Sequence, residues 1–224
     1  MTDPNINLFL QFKNNDSYQH GITTQSLVNI LPDDIIFEIG KQMFGRYEVQ
    51  YNMTIETLEI IGPYIYELNI SQTRYINHLN PKYLYNVKSL DLSGNDIITD
   101  DGIKDLINLT SLELDSSEII TDNGIKNLTN LTDLNLSSNI MITDDRLKQF
   151  VNLTSLDLVH NKKITDAGIR DMTNLKSLDL NWNATITDDG IRNLTNLTYL
   201  NIRSNDMITD DGIKHLHNIT KLSR

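Results

Sequence analysis

The sequence predicts an α/β solenoid, a right-handed stack of short strand-and-helix units with a helical cap at its N-terminal end. Three observations predict it. An apolar frame restarts every 22 residues. The first half of each unit alternates apolar and polar residues, the signature of a strand. The second half has apolar residues at helical spacing and opens on Thr-Asp, which suits an N-cap and an acidic first turn.

The frame L-x-x-L-x-L-x-x-N begins at Val87, Leu109, Leu131, Leu153, Leu175 and Leu197. The same step reaches back to Ile65 and forward to Ile219, eight starts in register without an insertion. LTSLDL at 153–158 illustrates the strand half and ITDAGIRDM at 164–172 the helical half. Helix starts recur at Thr99-Asp100, Thr121-Asp122, Thr143-Asp144, Thr187-Asp188 and Thr209-Asp210. One unit buries too little apolar surface to order its own backbone, so the units fold only by stacking. Residues 65–224 are therefore read as a solenoid of about seven repeats and a partial last one, and residues 1–64 as a separate N-terminal region.

These motifs, LxxLxLxxN followed by ITDxGIxxL, resemble leucine-rich repeat proteins. The ITDxGI half is similar to the repeats of F-box/leucine-rich repeat proteins. The LTNLTSLDLSSN phrasing is similar to shorter bacterial surface and phosphatase-regulatory repeats. The Asn- and Ile-rich style also resembles repeat proteins of AT-rich genomes, including giant viruses of amoebae. The resemblance implies a parallel sheet lining a concave face, short helices on a convex face, and an internal ladder of Asn95, Asn139, Asn161, Asn183 and Asn205. Thr73 and Ser117 depart from that ladder, and Arg146 replaces the helix glycine of one unit.

Within each strand the alternating residues point outward. One outward column runs Asn69, Asp91, Glu113, Asn135, Asp157, Asp179, Asn201. Neighbouring members stand about 4.8 Å apart, so Asp91 with Glu113 and Asp157 with Asp179 are repelling pairs. Two readings stand: an acidic stripe awaiting a basic partner, or a column that Asp fills in this family for its own sake. Just before the ladder, a second column reads Gly94, Ser116, Ser138, His160, Trp182, Ser204. It is small in the early repeats and large in the late ones. His160, the single tryptophan Trp182, Val159, Arg203 and Tyr199 are expected to cluster on the concave surface, with Asp157 and Asp179 beside them. Aromatic and arginine anchors among small polar groups are what a binding hot spot looks like. The competing reading lays Trp182 flat over apolar surface between strands. The helix column Lys104, Lys126, Lys148, Arg170, Arg192, Lys214 reads as a solvated face.

In the N-terminal region, SLVNILPDDIIFEIGKQMF at 26–44 reads as an amphipathic helix with Pro32 in its first turn. LPDDIIFEI also resembles the opening helix of the F-box. That resemblance implies docking of a ubiquitin-ligase adaptor subunit through Leu31, Pro32, Ile35, Ile36 and Ile39. The alternative is a capping helix over the first repeat. At the other end, HNITKLSR carries one strand into a repeat, its edge protected by Lys221 and Arg224.

Composition narrows the function classes. The net charge of −11 disfavours nucleic acid and anionic membrane surfaces. With no cysteine, no disulfide or thiolate metal site forms. The N-terminus lacks the features of a secretory signal, and no apolar run is long enough to span a membrane, so an intracellular, cytoplasmic protein (of the host cell, if viral) is expected. Sequons such as Asn130-Leu131-Thr132 and Asn196-Leu197-Thr198 then read as by-products of the repeat. The five histidines are scattered, and no phosphate loop or nucleophile elbow appears. The expectation is a protein-binding module without catalytic residues, cofactor or metal.

Overall fold

The structure is a computed structural model that describes residues 46–48, 63, 65–71, 76 and 79–224, with backbone alone for 46–48. Nine three-residue strands form one sheet in chain order: β1 (Arg46–Glu48), β2 (Glu67–Asn69), β3 (Ser89–Asp91), β4 (Ser111–Glu113), β5 (Asp133–Asn135), β6 (Ser155–Asp157), β7 (Ser177–Asp179), β8 (Tyr199–Asn201) and β9 (Lys221–Ser223). Every neighbouring pair is parallel. Six four-residue helices follow β3 to β8: α1 (Asp100–Ile103), α2 (Asp122–Ile125), α3 (Asp144–Leu147), α4 (Asp166–Ile169), α5 (Asp188–Ile191) and α6 (Asp210–Ile213). The sheet reaches one strand further toward the N-terminus than the first registered start at Ile65. Residues 26–44, and with them Leu31, Pro32, Ile35, Ile36 and Ile39, lie outside the described residues.

Register follows from burial. The middle residue of each strand from β2 to β8 points into the core: Leu68, Leu90, Leu112, Leu134, Leu156, Leu178 and Leu200 are all buried. Helix residues Ile103, Ile125, Leu147, Ile169 and Ile191 close the core from the other side. A one-residue slip would turn the whole leucine row to solvent, which fixes the pairing.

Polar ladders tie the repeats together. Asn161 donates its amide to the carbonyls of Leu136 and Asn139 at 2.8 and 2.9 Å, and Asn183 does the same to Leu158 and Asn161 at 3.1 and 3.0 Å. Each side-chain oxygen accepts backbone N–H groups two and three residues on. Every buried polar atom of these side chains is thereby satisfied, as a dry interior requires. The ladder thins at Asn205, whose amide nitrogen is buried without a partner, and at Ser117, whose hydroxyl is too.

A second ladder joins the helices. The first carboxylate of each helix from α1 to α5 reaches the N-cap threonine of the next repeat: Asp166 accepts from the Thr187 N–H at 2.8 Å and from its hydroxyl at 2.7 Å. Asp100, Asp122, Asp144 and Asp188 hold Thr121, Thr143, Thr165 and Thr209 in the same way. The repeated helix glycine makes room for this. A Cβ on Gly190 would stand 2.3 Å from the Asp166 carboxylate oxygen. The threonine hydroxyls of α2, α4, α5 and α6 cap their own helices, while Thr99 and Thr143 make no side-chain cap bond. The second acid of a pair does different work. Asp101, Asp145, Asp189 and Asp211 form exposed ion pairs with Lys104, Lys148, Arg192 and Lys214.

A third ladder uses the sequon asparagines. Asn130 donates to the Ile107 carbonyl at 2.9 Å and Asn196 to that of Thr173 at 2.8 Å, in line with Asn108, Asn152, Asn174 and Asn218. The architecture accounts for their recurrence.

Candidate functional site: an aromatic rim on the sheet face

Each strand from β3 to β8 ends in the same tight turn. The carboxylate or amide at the last strand position accepts the N–H two residues on: Asp91 from Ser93, Asn135 from Ser137, Asp157 from Val159, Asp179 from Asn181, Asn201 from Arg203. This is the Asx turn that short polar side chains form. β4 is the exception, for Glu113 stands at that position. The residue three beyond the strand end takes a left-handed backbone in every turn, with φ of 60° at Gly94, 55° at Ser116, 53° at Ser138, 52° at His160, 57° at Trp182 and 54° at Ser204. The Asp/Asn column therefore has a structural role in the turn, whatever else it does.

The left-handed column is the one that carries His160 and Trp182. Large side chains are disfavoured there, since Cβ crowds the following carbonyl. Backbone bonds hold them in place all the same. The His160 N–H donates to Asn181 O at 3.1 Å and the Trp182 N–H to Arg203 O at 2.9 Å. With the main chain fixed, both side chains project outward. Their rings stack at 5.6 Å between centroids with planes 14° apart, and Trp182 keeps 56% of its surface exposed. The pair forms a rim at the ends of β6 and β7.

The other expected site residues fall around this rim. Asp157 and Asp179 are register partners on β6 and β7. Tyr199 on β8 donates its hydroxyl to Asp179 at 3.3 Å, and Asn201 donates to the same oxygen at 2.9 Å. Val159 is half-buried in the β6 turn and Arg203 is exposed in the β8 turn. Burial pushes the Asp157 carboxyl up, against the Ser137 and Val159 hydrogen bonds that pull it down, with Asp179 and Asp115 adding repulsion. Burial likewise raises Glu113, with Asn135 opposing and Asp91, Asp157 and Asp115 reinforcing. The Tyr199 hydroxyl is raised by burial first and then by Asp179.

Two features lie beyond the expected set. The left-handed backbone of the rim is one; a glycine at position 94 of an otherwise polar column was its only trace in the sequence. The other is Lys221, whose ammonium sits 4.9 Å from the centroid of the Tyr199 ring. Its place 22 residues after Tyr199, as that residue's register partner on β9, could have been found from the repeat. Among the described residues, no group of histidines and carboxylates is placed to hold a metal ion.

A family model described as Leucine Rich repeat matches residues 86–107, 105–128, 151–172, 171–194 and 193–216. The matched units of the solenoid are leucine-rich repeats. The intervening repeat, outside those matches, is the one in which Arg146 stands in place of glycine. No curated protein matches the chain. Among solved structures, a chain of the Rad7 and Elc1 complex from yeast is similar at 25% identity and TM-score 0.62, over 86% of this chain. This chain spans 60% of that one. Internalin C2 of Listeria monocytogenes matches at 22% identity and TM-score 0.65, over 97% of this chain and 91% of that one. A chain of the Toll–Spatzle complex from Drosophila matches at 18% identity and TM-score 0.58, over 79% of this chain and 26% of that one. These last two share the leucine-rich repeat fold.

Proposed function

We propose that this protein is an intracellular, non-catalytic interaction scaffold that binds one protein partner on its sheet face, anchored at the His160–Trp182 rim. One observation carries the reading. Two bulky aromatic side chains occupy left-handed positions that glycine and serine fill in the other turns, and Trp182 is more than half exposed there. Folding alone favours a small residue at such a position, so strain kept in an exposed aromatic points to use rather than to packing. Exposed tryptophan and arginine anchors among small polar neighbours fit a hot spot. Val159, Tyr199, Arg203, Asp157 and Asp179 complete the proposed contact surface.

A second reading adds an adaptor role. The resemblance of LPDDIIFEI to an F-box helix, with the likeness to a chain of the yeast Rad7 and Elc1 complex, favours it. In that reading Leu31, Pro32, Ile35, Ile36 and Ile39 dock a ubiquitin-ligase adaptor while the rim holds the substrate.

Affinity capture from eukaryotic lysate separates the two. Parent protein, Trp182→Ser and Ile35→Asp/Ile39→Asp are compared after circular dichroism establishes that each is folded. A partner lost with Trp182→Ser alone supports the scaffold. Loss of a ligase adaptor with the Ile35/Ile39 variant supports the adaptor. Capture unchanged by Trp182→Ser rules out the rim as the contact.

A further inference from the structure

The sheet face beside the rim carries charge of one sign over five consecutive strands. Asp91 on β3, Glu113 on β4, Asp133 on β5, Asp157 on β6 and Asp179 on β7 stand on it, and Asp115 follows in the β4 turn. The register sets Asp91 against Glu113 and Asp157 against Asp179. Among the described residues none of these six is in an ion pair. Lys104, Lys148, Arg192, Lys214 and Arg224 pair instead with helix carboxylates. Opposed carboxylates on strands about 4.8 Å apart repel, which folding tolerates only at a cost. Burial and mutual repulsion raise both Glu113 and Asp157, so the face gains from a neutralising charge.

Two strands beyond β7, on β9, the fold shows how this side of the sheet seats a cation. Lys221 lies over the Tyr199 ring, and the hydroxyl of that ring donates to Asp179 at 3.3 Å. An aromatic ring with a carboxylate behind it is a seat for an ammonium or guanidinium group. His160 and Trp182 bring two more aromatic faces to the same edge. The acids are spread along strands rather than gathered round a point, and among the described residues no three are placed to share a metal ion. A set of cationic side chains on one chain fits that spread; a single ion does not.

We propose that the sheet face of β3 to β7 binds a lysine- or arginine-bearing segment of a partner protein. Its cations neutralise the Asp91–Glu113 and Asp157–Asp179 pairs, and its apolar flank lies against the His160–Trp182 rim. The proposal rests on the reading of that rim as a contact and specifies the chemistry of what it contacts.

The test is fluorescence anisotropy of labelled octalysine with the full chain, against octaglutamate as control. The variant Asp91→Asn/Glu113→Gln/Asp157→Asn/Asp179→Asn removes the four charges, and Asn keeps the oxygen that accepts the turn N–H. The matched variant Asp101→Asn/Asp145→Asn/Asp189→Asn/Asp211→Asn removes as many from the helix face. Thermal melts establish that both are folded. The sheet-face variant is expected to bind octalysine roughly tenfold more weakly and the helix-face variant within about twofold of the parent. Equal losses, or none, overturn the basic-segment proposal. If that happens while Trp182→Ser still abolishes capture of a lysate partner, the scaffold reading stands without it. If Trp182→Ser also changes nothing, both fall.

Discussion

At the scale of single residues, position 182 sets stability against use. A left-handed non-glycine residue costs on the order of 1–2 kcal/mol, and the stacked His160 ring returns roughly 0.5–1.5 kcal/mol of it. Glycine removes the backbone cost and the stack together. Trp182→Gly is therefore expected to leave the denaturation midpoint unchanged or to raise stability by up to about 1 kcal/mol, while abolishing partner capture. A loss of more than about 2 kcal/mol in urea melts would make the ring a packing element and remove the argument for a contact. Residues elsewhere in the column bear on the same point. Gly94, Ser116, Ser138 and Ser204 hold the same φ with small side chains, so the turn itself needs no aromatic.

At the scale of elements, the four-residue helices are too short to stand on their own propensity. Neighbouring repeats hold them instead, through the bond from one helix's first carboxylate to the next helix's N-cap threonine. Asp166 to Thr187, closed over Gly190, is the clearest case. Asp166→Ala strands a half-buried N–H and hydroxyl and is expected to cost about 1–3 kcal/mol. Gly190→Ala forces the same carboxylate aside and is expected to cost a similar amount. Because both act on one bond pair, the double variant should be markedly less destabilised than the sum of the singles. Urea melts of the four proteins give the coupling, and strict additivity would show that the glycine serves another purpose. Arg146 occupies the glycine position in α3, and Asp122 still reaches Thr143 there at 3.0 and 2.6 Å. Its Nε is buried without a partner, a local cost in the repeat where the sequence motif is weakest.

For the molecule as a whole, electrostatics run against folding along the sheet face. The net charge is −11, and strand pairing aligns like charges. Glu113 shows the sign of the effect. Burial first, and then Asp91, Asp157 and Asp115, raise its carboxyl above the ordinary value of 4.5. The folded state therefore favours the protonated acid, and the charge destabilises it above the folded pKa. Glu113→Gln removes the charge and keeps a polar amide opposite Asn135. The variant should melt higher than the parent at pH 7. The gap should close as pH falls through the raised folded value and below 4.5, where Glu113 is protonated in both the folded and the unfolded state. A gap that persists at pH 4 would place its origin in packing. Added salt should shrink it at pH 7.

The period of 22 residues, the leucine row, the asparagine ladder and the Thr-Asp helix starts were all legible in the chain. Each is a local pattern that stacking merely repeats, so register in the sequence becomes register in space. The exposed tryptophan was legible too, as a large residue in a column of small ones. The purpose of the Asp column was not, since Asp91, Asp157 and Asp179 look alike whether they cap a turn, repel a neighbour or meet a partner. Only the fold decided that they cap the turn with one oxygen and stand half-buried beside like charges. It also divided the paired helix acids of α1, α3 and α5, sending the first of each to the next repeat's threonine and the second to a lysine or arginine on its own helix. The left-handed backbone under Trp182 was not legible either. Alternation and helical spacing fix which side of an element a residue takes, but φ in a tight turn is set by the bonds that close it, here from the Asn181 N–H to Asp179 and from the Asn183 N–H to Leu180 O, and stacking then adds the bond from the Trp182 N–H to Arg203 O.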